Sequence, residues 1–436
     1  MNNSFTIRPS RRVAGTMQVP GDKSISHRAL MLGAIASGTT RVSGFLPGED
    51  CLATLAAVRA MGIDVEQHDA TTITVRGKGL HGLRAAPGVL DMGNSGTAMR
   101  LFMGLLAAQG FDSKLTGDDS LNRRPMERIA VPLRLMGAEI RTTDGKPPVH
   151  ISGKRKLQGI RYDMPVASAQ LKSALLLAGL YADGDTVLNE PAVTRDHTER
   201  MLVSLGQPVR RDGQTVSLSA SGELNGTDIN VPGDLSSAAF FVLAGCLAGE
   251  GELVIDNVGL NPTRTGILRI LELMGADLRV EVATGTGAEP VGRLIVRPSE
   301  LQGVAIPPEL VPLAIDEFPM VFVAAALAHG ETLVSGAGEL RHKESDRISV
   351  MVAGLRALGI EVDELPDGAR IRGGRFRSGT IDSRGDHRVA MSFAIGAARA
   401  AGPVQILDTA NVATSFPGFV RQASAVGLAI EADTGG

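Results

Sequence analysis

The sequence predicts an α/β protein made of two similar halves, and three observations support this fold class. The chain has 436 residues, which exceeds the size at which single hydrophobic cores usually divide. Helix-like and strand-like segments alternate in a pattern that recurs six times, with glycines at corresponding positions. The tetrapeptide Val-Pro-Gly-Asp occurs at residues 19–22 and again at 231–234, each time just before an apolar helical segment.

Each predicted repeat unit begins with a helix rich in Ala and Leu. A short strand, a polar loop, a second amphipathic helix and a further strand follow it. Glycine directly after the last apolar residue of the second helix favours the left-handed turn that ends a helix. The six predicted caps are Gly62, Gly137, Gly206, Gly275, Gly359 and Gly427.

The repeated tetrapeptide predicts where the chain passes from one domain to the other. Pro and Gly favour a fixed turn at each crossing, and three repeat units lie between the two copies while three follow the second. We therefore expect one domain over residues 21–231. The other domain then combines residues 1–20 with residues 232–436.

Composition and charge exclude several classes of partner. A net charge of −3 and 3% aromatic residues with no Trp give no footprint for nucleic acid. The longest uninterrupted apolar run, Met320–Ala328, is too short to cross a membrane, and no secretory signal begins the chain, so a cytoplasmic location is expected. Cys51 and Cys246 lie in apolar helical patterns and are expected to be buried.

The starts of the predicted helices carry cations that helix capping does not explain. Ser, Asp and Asn are ordinary N-cap residues, but Lys or Arg in a first turn faces the positive end of the helix dipole. Such cations are favourable if a phosphate or carboxylate ligand binds there. We therefore expect several helix starts to face one cleft between the halves, where small phosphorylated anions bind. The cations concerned are Arg28, Lys172 and Arg388 in first helices and Arg124, Arg195, Arg341, Lys343 and Arg347 in second helices.

Two carboxylates are candidates for proton transfer. Asp316 precedes a strongly apolar helix, where it could cap that helix or act as a base. Glu344 lies between Lys343 and Arg347, where it could deliver a proton or form a structural ion pair. The sequence contains no Walker A, zincin, nucleophile-elbow or dinucleotide-binding motif, so ATP, metal, acyl-enzyme and nicotinamide chemistry lose support.

Seven ordered motifs occur along the chain: Lys23–Arg28, Asn94–Arg100, Arg124–Met126, Ser168–Gln170, Asp316–Pro319, Lys343–Arg347 and Asp386–Arg388. Together they resemble the 3-phosphoshikimate 1-carboxyvinyltransferase (EPSP synthase) family over essentially the whole chain. The resemblance implies an inside-out α/β barrel in each of two domains, with six repeated βαβαββ-type units, three per domain.

The resemblance also implies the reaction. The 5-hydroxyl of shikimate 3-phosphate attacks C2 of phosphoenolpyruvate, C3 is protonated, and a tetrahedral intermediate expels phosphate. No cofactor and no metal are implied, and the family tendency is monomeric. Asp316 would be the base for the hydroxyl, and Glu344 or Lys23 would protonate C3.

The resemblance assigns the remaining site residues by position. Residues expected to bind shikimate 3-phosphate are Lys23, Ser24, Arg28, Ser168, Ala169 through its backbone, Gln170, Arg195, Asp316 and Lys343. Residues expected to bind phosphoenolpyruvate are Lys23, Asn94, Gly96, Arg124, Gln170, Arg347, His387 and Arg388.

Two positions depart from the family pattern. Ala169 stands where many members have a second Ser, which removes one hydroxyl contact to phosphate. Thr414 lies where many members carry a Lys near the final Phe-Pro, which removes one cation from the phosphoenolpyruvate site. Both features are typical of a bacterial subgroup described as tolerant to the inhibitor glyphosate, whereas Gly96 is typical of sensitive enzymes.

Two other functions are alternatives to this one. The sister enolpyruvyl transferase that acts on UDP-N-acetylglucosamine typically carries a loop cysteine, and none occurs between Leu115 and Met126. A non-catalytic phosphosugar-binding module would not need an acid such as Asp316 beside a polyanion. Both alternatives are therefore disfavoured.

Overall fold

The computed structural model describes residues 3–153, 156–283 and 288–433. These residues form two compact units. We call them the central unit, Gly21–Val231 with Ala288 and Glu289, and the terminal unit, which holds the described residues up to Pro20 and the others from Pro232 onwards. The outermost residues of the predicted domain bounds, 1–2 and 434–436, lie outside the described part.

The described residues form thirteen α-helices, six in the central unit and seven in the terminal unit. They are α1 Lys23–Ile35, α2 Glu49–Ala60, α3 Gly96–Leu106, α4 Glu127–Leu135, α5 Ala169–Gly179, α6 His197–Ser204, α7 Leu235–Leu247, α8 Gly266–Leu273, α9 Val311–Ala314, α10 Phe318–Leu327, α11 Arg347–Ala357, α12 His387–Ala397 and α13 Phe419–Ala425.

The described residues also form twenty-six strands. They are β1 Ser4–Arg8, β2 Gly15–Gln18, β3 Ala36–Ser43, β4 Asp64–Gln67, β5 Ile73–Lys78, β6 Leu90–Asp91, β7 Ser113–Thr116, β8 Glu139–Thr143, β9 Lys146–Ser152, β10 Leu157–Gln158, β11 Arg161–Asp163, β12 Ala182–Asp183, β13 Asp185–Asn189, β14 Val209–Asp212, β15 Thr215–Ser219, β16 Leu224–Asn225, β17 Ile229–Asn230, β18 Leu253–Gly259, β19 Asp277–Val282, β20 Val291–Arg297, β21 Glu331–Val334, β22 Val362–Leu365, β23 Gly368–Arg372, β24 Gly379–Asp382, β25 Val404–Leu407 and β26 Ala429–Asp433.

Three helices in each unit are buried on almost every side. All thirteen residues of α7 and nine of the ten residues of α10 are buried. A helix that is apolar all round has no face for water and must lie in the core. The same holds for α12 in the terminal unit and for α1, α3 and α5 in the central unit, where α3 packs against α5.

The central unit contains three larger sheets with a common strand pattern. Their orders are β16-β3-β5-β4, β6-β7-β9-β8 and β11-β13-β15-β14. In each sheet the first pair of strands is parallel and the later pairs are antiparallel. Alternating burial along β9 and β15 shows that one face of each strand packs on the core.

The terminal unit contains sheets with the orders β2-β18-β20-β19, β21-β23-β22 and β24-β25-β1-β26. The first and last of these also begin with a parallel pair. Every sheet in the described part of the chain is open, because its first and last strands do not pair with each other. The expected barrel is therefore corrected to a mixed α/β fold of open sheets, in which strands cover buried helices.

The repeated tetrapeptide contributes one helix cap to each unit. Asp22 accepts the backbone N–H of Ile25 at the start of α1, and Asp234 accepts that of Ser236 at the start of α7. Gly21 is required by close packing, since a Cβ there would lie 1.8 Å from the carbonyl oxygen of Gly44.

Several local predictions are confirmed. All six predicted cap glycines have positive φ, between 85° and 108°. Cys51 and Cys246 are buried, and neither forms a disulfide. Among the described residues, one helical stretch, Pro308–Leu327, is long and apolar enough to cross a membrane, but 72% of its most apolar window is buried inside the structure, as in a core helix.

Candidate active site

The start of α1 places Lys23, Ser24 and Arg28 on consecutive turns of the central unit. The ammonium of Lys23 lies 2.9 Å from the Asp50 carboxylate, and only 16% of the Lys23 side chain is exposed. Asp22 is the N-cap of α1, so the helix backbone is fixed at its first residue, Lys23. Lys23 is therefore a held cation rather than a freely moving surface lysine.

Arg28 is buried and is held by uncharged groups. Its guanidinium donates to the hydroxyl oxygens of Thr198 at 2.6 Å and Ser173 at 2.8 Å, and to the carbonyl oxygen of Ser24 at 2.9 Å. The pKa of Arg28 is lowered to about 10, with burial as the largest cause; Glu199 and Asp22 oppose this shift, and Arg195 contributes to it. Arg28 stays charged at neutral pH and lies near Arg195, so the two cations favour an anion beside them.

The turn before α3 brings together Asn94, Gly96 and Arg124. Ser95 caps the helix, and Arg124 donates to the side-chain oxygen of Asn94 at 2.7 Å and to Ser120 at 3.2 Å. A Cβ on Gly96 would lie 3.2 Å from a guanidinium nitrogen of Arg124. The missing side chain at Gly96 therefore leaves space directly beside this arginine.

Sequence reasoning missed the role of Arg100, which lies one turn into α3. Arg100 is 5% exposed, and its guanidinium donates to the Gln170 side chain at 2.6 Å. Gln170 in turn donates to Thr97 at 3.0 Å, so it connects the first turns of α3 and α5. The signal in the sequence was the presence of an Arg at the end of the Asn94–Arg100 motif.

The start of α5 places Ser168 and Ala169 at a helix N-terminus and corrects the expectation for Lys172. Ser168 is the N-cap, and its hydroxyl accepts the backbone N–H of Leu171 at 3.3 Å, while Ala169 is the first helical residue. Lys172, expected among the anion-binding cations, is fully buried and lies 2.8 Å from Glu199 and 3.1 Å from Glu190. Two carboxylates already neutralise it, so Lys172 is excluded from the set of ligand-binding cations.

In the terminal unit, Asp316 lies among cations. Its carboxylate lies 3.0 Å from the Lys343 ammonium and 3.5 Å from the Arg347 guanidinium, and 17% of its side chain is exposed. Asp316 belongs to the turn Ile315–Glu317, and the N-cap of α10 is Glu317. The alternative that Asp316 caps α10 is therefore wrong.

Arg347, at the start of α11, is fully buried among three carboxylates. It donates to Asp386 at 2.8 Å and to Glu344 at 2.6 Å, in addition to its contact with Asp316. Burial alone would lower the pKa of Arg347, but Asp386, Glu344 and Asp316 raise it above its ordinary value. Glu344 thus forms an ion pair with Arg347, which was one of the two alternatives for this residue, and 21% of its side chain remains exposed.

The start of α12 supplies His387 and Arg388. Asp386 caps this helix through the backbone N–H of Arg388 at 2.9 Å. The Arg388 guanidinium donates to the backbone oxygen of Asp316 at 3.1 Å and to the Glu317 carboxylate at 3.4 Å. Glu317 is 1% exposed and also accepts the hydroxyl of Ser236, a contact that sequence reasoning did not find.

Arg341, a further predicted cation in the terminal unit, is taken up by structural contacts. Its guanidinium lies 2.7 Å from Asp346 and 2.9 Å from Glu364. It is therefore excluded from the candidate site, as Lys172 is.

The structure therefore groups the predicted site residues into two sets, each described within its own unit. The set in the central unit comprises Lys23, Ser24, Arg28, Asn94, Gly96, Arg124, Ser168, Ala169, Gln170 and Arg195; the set in the terminal unit comprises Asp316, Lys343, Glu344, Arg347, His387 and Arg388. Among the described residues, no group of three or more His, Cys, Asp or Glu side chains is arranged to hold a metal ion.

Comparisons with known proteins agree on one family. The model of the family described as EPSP synthase (3-phosphoshikimate 1-carboxyvinyltransferase) matches residues 7–423. A 3-phosphoshikimate 1-carboxyvinyltransferase of Methylococcus capsulatus is 57% identical over 98% of both chains. One of Legionella pneumophila is 53% identical over 98% of this chain and 99% of the relative.

Solved structures show the same fold. An EPSP synthase from Acinetobacter baumannii has a TM-score of 0.88 at 52% identity, over 99% of this chain and 100% of that one. The enolpyruvyl transferase NikO from Streptomyces tendae has a TM-score of 0.78 at 18% identity over the full length of both chains, a likeness of fold alone.

Proposed function

Because the chain belongs to the EPSP synthase family, we propose that it transfers the enolpyruvyl group of phosphoenolpyruvate to the 5-hydroxyl of shikimate 3-phosphate. The products are 5-enolpyruvylshikimate 3-phosphate and inorganic phosphate, in the pathway to chorismate and the aromatic amino acids. The observation that carries the proposal is the position of Asp316, a partly exposed carboxylate within 3.5 Å of Lys343 and Arg347. A base beside cations suits the deprotonation of a hydroxyl on an anionic substrate.

Shikimate 3-phosphate is proposed to bind mainly to the helix starts of the central unit. Arg28 and Arg195 are the cations proposed to bind its phosphate, and Ser168 and Ala169 present a helix N-terminus to it. Lys23, Ser24 and Gln170 complete this part of the site, and Asp316 and Lys343 of the terminal unit are the further contacts.

Phosphoenolpyruvate is proposed to bind where Gly96 leaves space beside Arg124. Asn94 fixes Arg124 through its 2.7 Å hydrogen bond, which orients the guanidinium for a bidentate contact with phosphate or carboxylate. The remaining contacts are assigned to Lys23, Gln170, Arg347, His387 and Arg388.

The proposed reaction proceeds by addition and elimination. Asp316 accepts the proton of the 5-hydroxyl while the hydroxyl oxygen forms a bond to C2 of phosphoenolpyruvate. C3 gains a proton from Glu344 or from the competing donor Lys23. The resulting tetrahedral intermediate then returns a proton from C3 to the group that supplied it, and the C2–C3 double bond re-forms as the C2–O bond to phosphate breaks. Phosphate leaves with the proton that Asp316 had accepted. Two polyanions must meet, and preorganised cations and helix N-termini offset their repulsion.

We further propose the finer architecture that the resemblance implies. The two compact units would be the two domains, each an inside-out arrangement of three βαβαββ-type repeats around three buried helices. The six helices that are buried almost all round support this arrangement. A cytoplasmic monomer without cofactor is proposed on the family tendency.

A phosphate-release assay with the full chain tests the function. Phosphate should appear only when both shikimate 3-phosphate and phosphoenolpyruvate are present, and Asp316→Asn should abolish most of it. Release with UDP-N-acetylglucosamine as acceptor would indicate the sister transferase. Binding of both substrates with no phosphate release would indicate a binding module and refute the proposal.

A further inference from the structure

Lys172 belongs to a cluster of four charged side chains in the central unit, three of which are buried. Its ammonium lies 2.8 Å from Glu199 on α6 and 3.1 Å from Glu190, which follows β13. Arg211 on β14 lies 3.0 Å from both of these carboxylates. Two positive and two negative charges cancel, so the cluster does not itself attract an anionic ligand.

The cluster also holds one residue of the loop between β13 and α6. Glu190 accepts the backbone N–H of Thr194 at 3.2 Å and also its hydroxyl, while Lys172 donates to the Thr194 carbonyl oxygen at 3.2 Å. All three polar groups of Thr194 are therefore bound to a buried ion pair. Lys172 uses its three protons on Glu190, Glu199 and Thr194, which satisfies the ammonium completely.

The residue after Thr194 is Arg195. Arg195 lies three residues before Thr198 of α6, whose hydroxyl accepts a hydrogen bond from Arg28 at 2.6 Å. In line with this placement, Arg195 contributes to the lowered pKa of Arg28. Like charges repel each other, so an anchor on the loop next to Arg195 helps to keep it near Arg28. Thr194 is 5% exposed and provides that anchor one residue away.

We propose that Lys172 and Glu190 are positioning residues that hold Thr194, and thereby place Arg195 beside Arg28 to receive the phosphate of shikimate 3-phosphate. This inference rests on the proposed function. Neither residue touches substrate. Their effect passes through the backbone between Thr194 and Arg195.

Thr194→Val is the central test, because it removes the hydroxyl contact to Glu190 while keeping a side chain of similar shape. The KM for shikimate 3-phosphate should rise about 5- to 20-fold, as expected for one lost hydrogen bond to a buried charge. The KM for phosphoenolpyruvate and kcat should change less than about 2-fold. Thr194→Ser keeps the hydroxyl and should restore the original KM.

Thr186→Val is the matched control. Thr186 is a fully buried threonine of the same unit, on β13, and its hydroxyl has no hydrogen-bond partner among the described residues. Its substitution should leave both KM values unchanged. A Thr194→Val enzyme with unaltered KM for shikimate 3-phosphate, or with both KM values raised equally, would overturn the inference.

A double-mutant cycle with Arg195→Ala tests whether Thr194 acts through Arg195. If it does, Thr194→Val should add nothing to the KM of the Arg195→Ala enzyme. If the effects of the two substitutions on KM instead multiply, Thr194 acts by another route, and the positioning role is refuted.

Amide hydrogen exchange provides a readout that does not depend on the reaction. Lys172→Met should speed exchange at Thr194 and Arg195 in the native protein, while protection of α5 is unchanged. Unchanged exchange in this loop would refute the anchoring role. If wild type and Thr186→Val release no phosphate, the proposed function fails, and the exchange result still decides the anchoring role.

Discussion

Substitution of Gly96 by alanine should test the phosphoenolpyruvate site most directly. The added Cβ would lie 3.1 Å from a nitrogen of Arg100 and 3.2 Å from a nitrogen of Arg124. Both atoms are ends of flexible side chains, so a shift of a few tenths of an ångström relieves the contact. Gly96 begins α3 without a positive φ, and alanine is intrinsically the better helix former, so the fold should not lose stability.

The cost should therefore fall on the ligand rather than on folding. Overpacking by one methyl costs about 1 to 3 kcal/mol, and the flexibility of the arginines favours the lower end, about 5-fold in affinity. Glyphosate, the inhibitor of the family, is longer than phosphoenolpyruvate and should be excluded more strongly. We expect Gly96→Ala to raise the glyphosate inhibition constant by a larger factor than the KM for phosphoenolpyruvate.

Steady-state kinetics with inhibition by glyphosate measure both factors in one preparation. Gly88→Ala is the control, because a Cβ at Gly88 meets no atom within 4 Å and its φ is not positive. The KM for shikimate 3-phosphate should be unchanged in both variants. Equal increases for inhibitor and substrate would show that the methyl displaces Arg124 as a whole, and no increase would place Gly96 away from the ligand. Either result refutes the reasoning.

Three further substitutions test other parts of the site. Asp316→Asn should lower kcat by about 10²-fold with little change in either KM, and near-normal turnover would refute its role as the base. Arg124→Lys should raise the KM for phosphoenolpyruvate more than that for shikimate 3-phosphate, since a bidentate contact is lost; equal changes would contradict the assignment. Burial, together with the charges of Lys23 and Arg28, lowers the pKa of His27 well below 6.5. The unfolded chain therefore binds a proton at His27 more readily than the folded chain, and the stabilising contribution of neutral His27, present above pH 6.5, is lost as pH falls. Urea unfolding should show a loss of up to about 2 kcal/mol between pH 7 and pH 5 that His27→Gln reduces, and equal losses would contradict it.

The sequence predicted helix ends better than it predicted sheets. Capping depends on residues next to each other in the chain, so Asp22, Ser95 and Ser168 could be recognised as N-caps without any tertiary information. Sheet closure depends on pairing between the first and last strands of a sheet, which no local pattern encodes. The barrel was inferred from the resemblance, whereas every sheet in the described part of the chain is open.

Arg28 and Lys172 show why the candidate site was only partly predictable. Both are cations in the first turn or two of a buried helix, and by local sequence they are equivalent. Arg28 is held by hydroxyl and carbonyl groups, whereas Lys172 is bound by Glu190 and Glu199, which follow it by 18 and 27 residues. Only the folded chain shows which of the two cations forms ion pairs with carboxylates.

Arg347 differs from both of these cations, because it is proposed to bind ligand although three carboxylates surround it. Asp386 is fully buried and caps α12, so its charge is committed to the fold, while Asp316 and Glu344 are partly exposed. The two exposed carboxylates are also the proposed base and proton donor. Protonation of either removes a negative charge beside Arg347 and strengthens its attraction for an anion. If these proposed roles hold, proton transfer and anion binding at Arg347 are coupled, because the same carboxylates serve both.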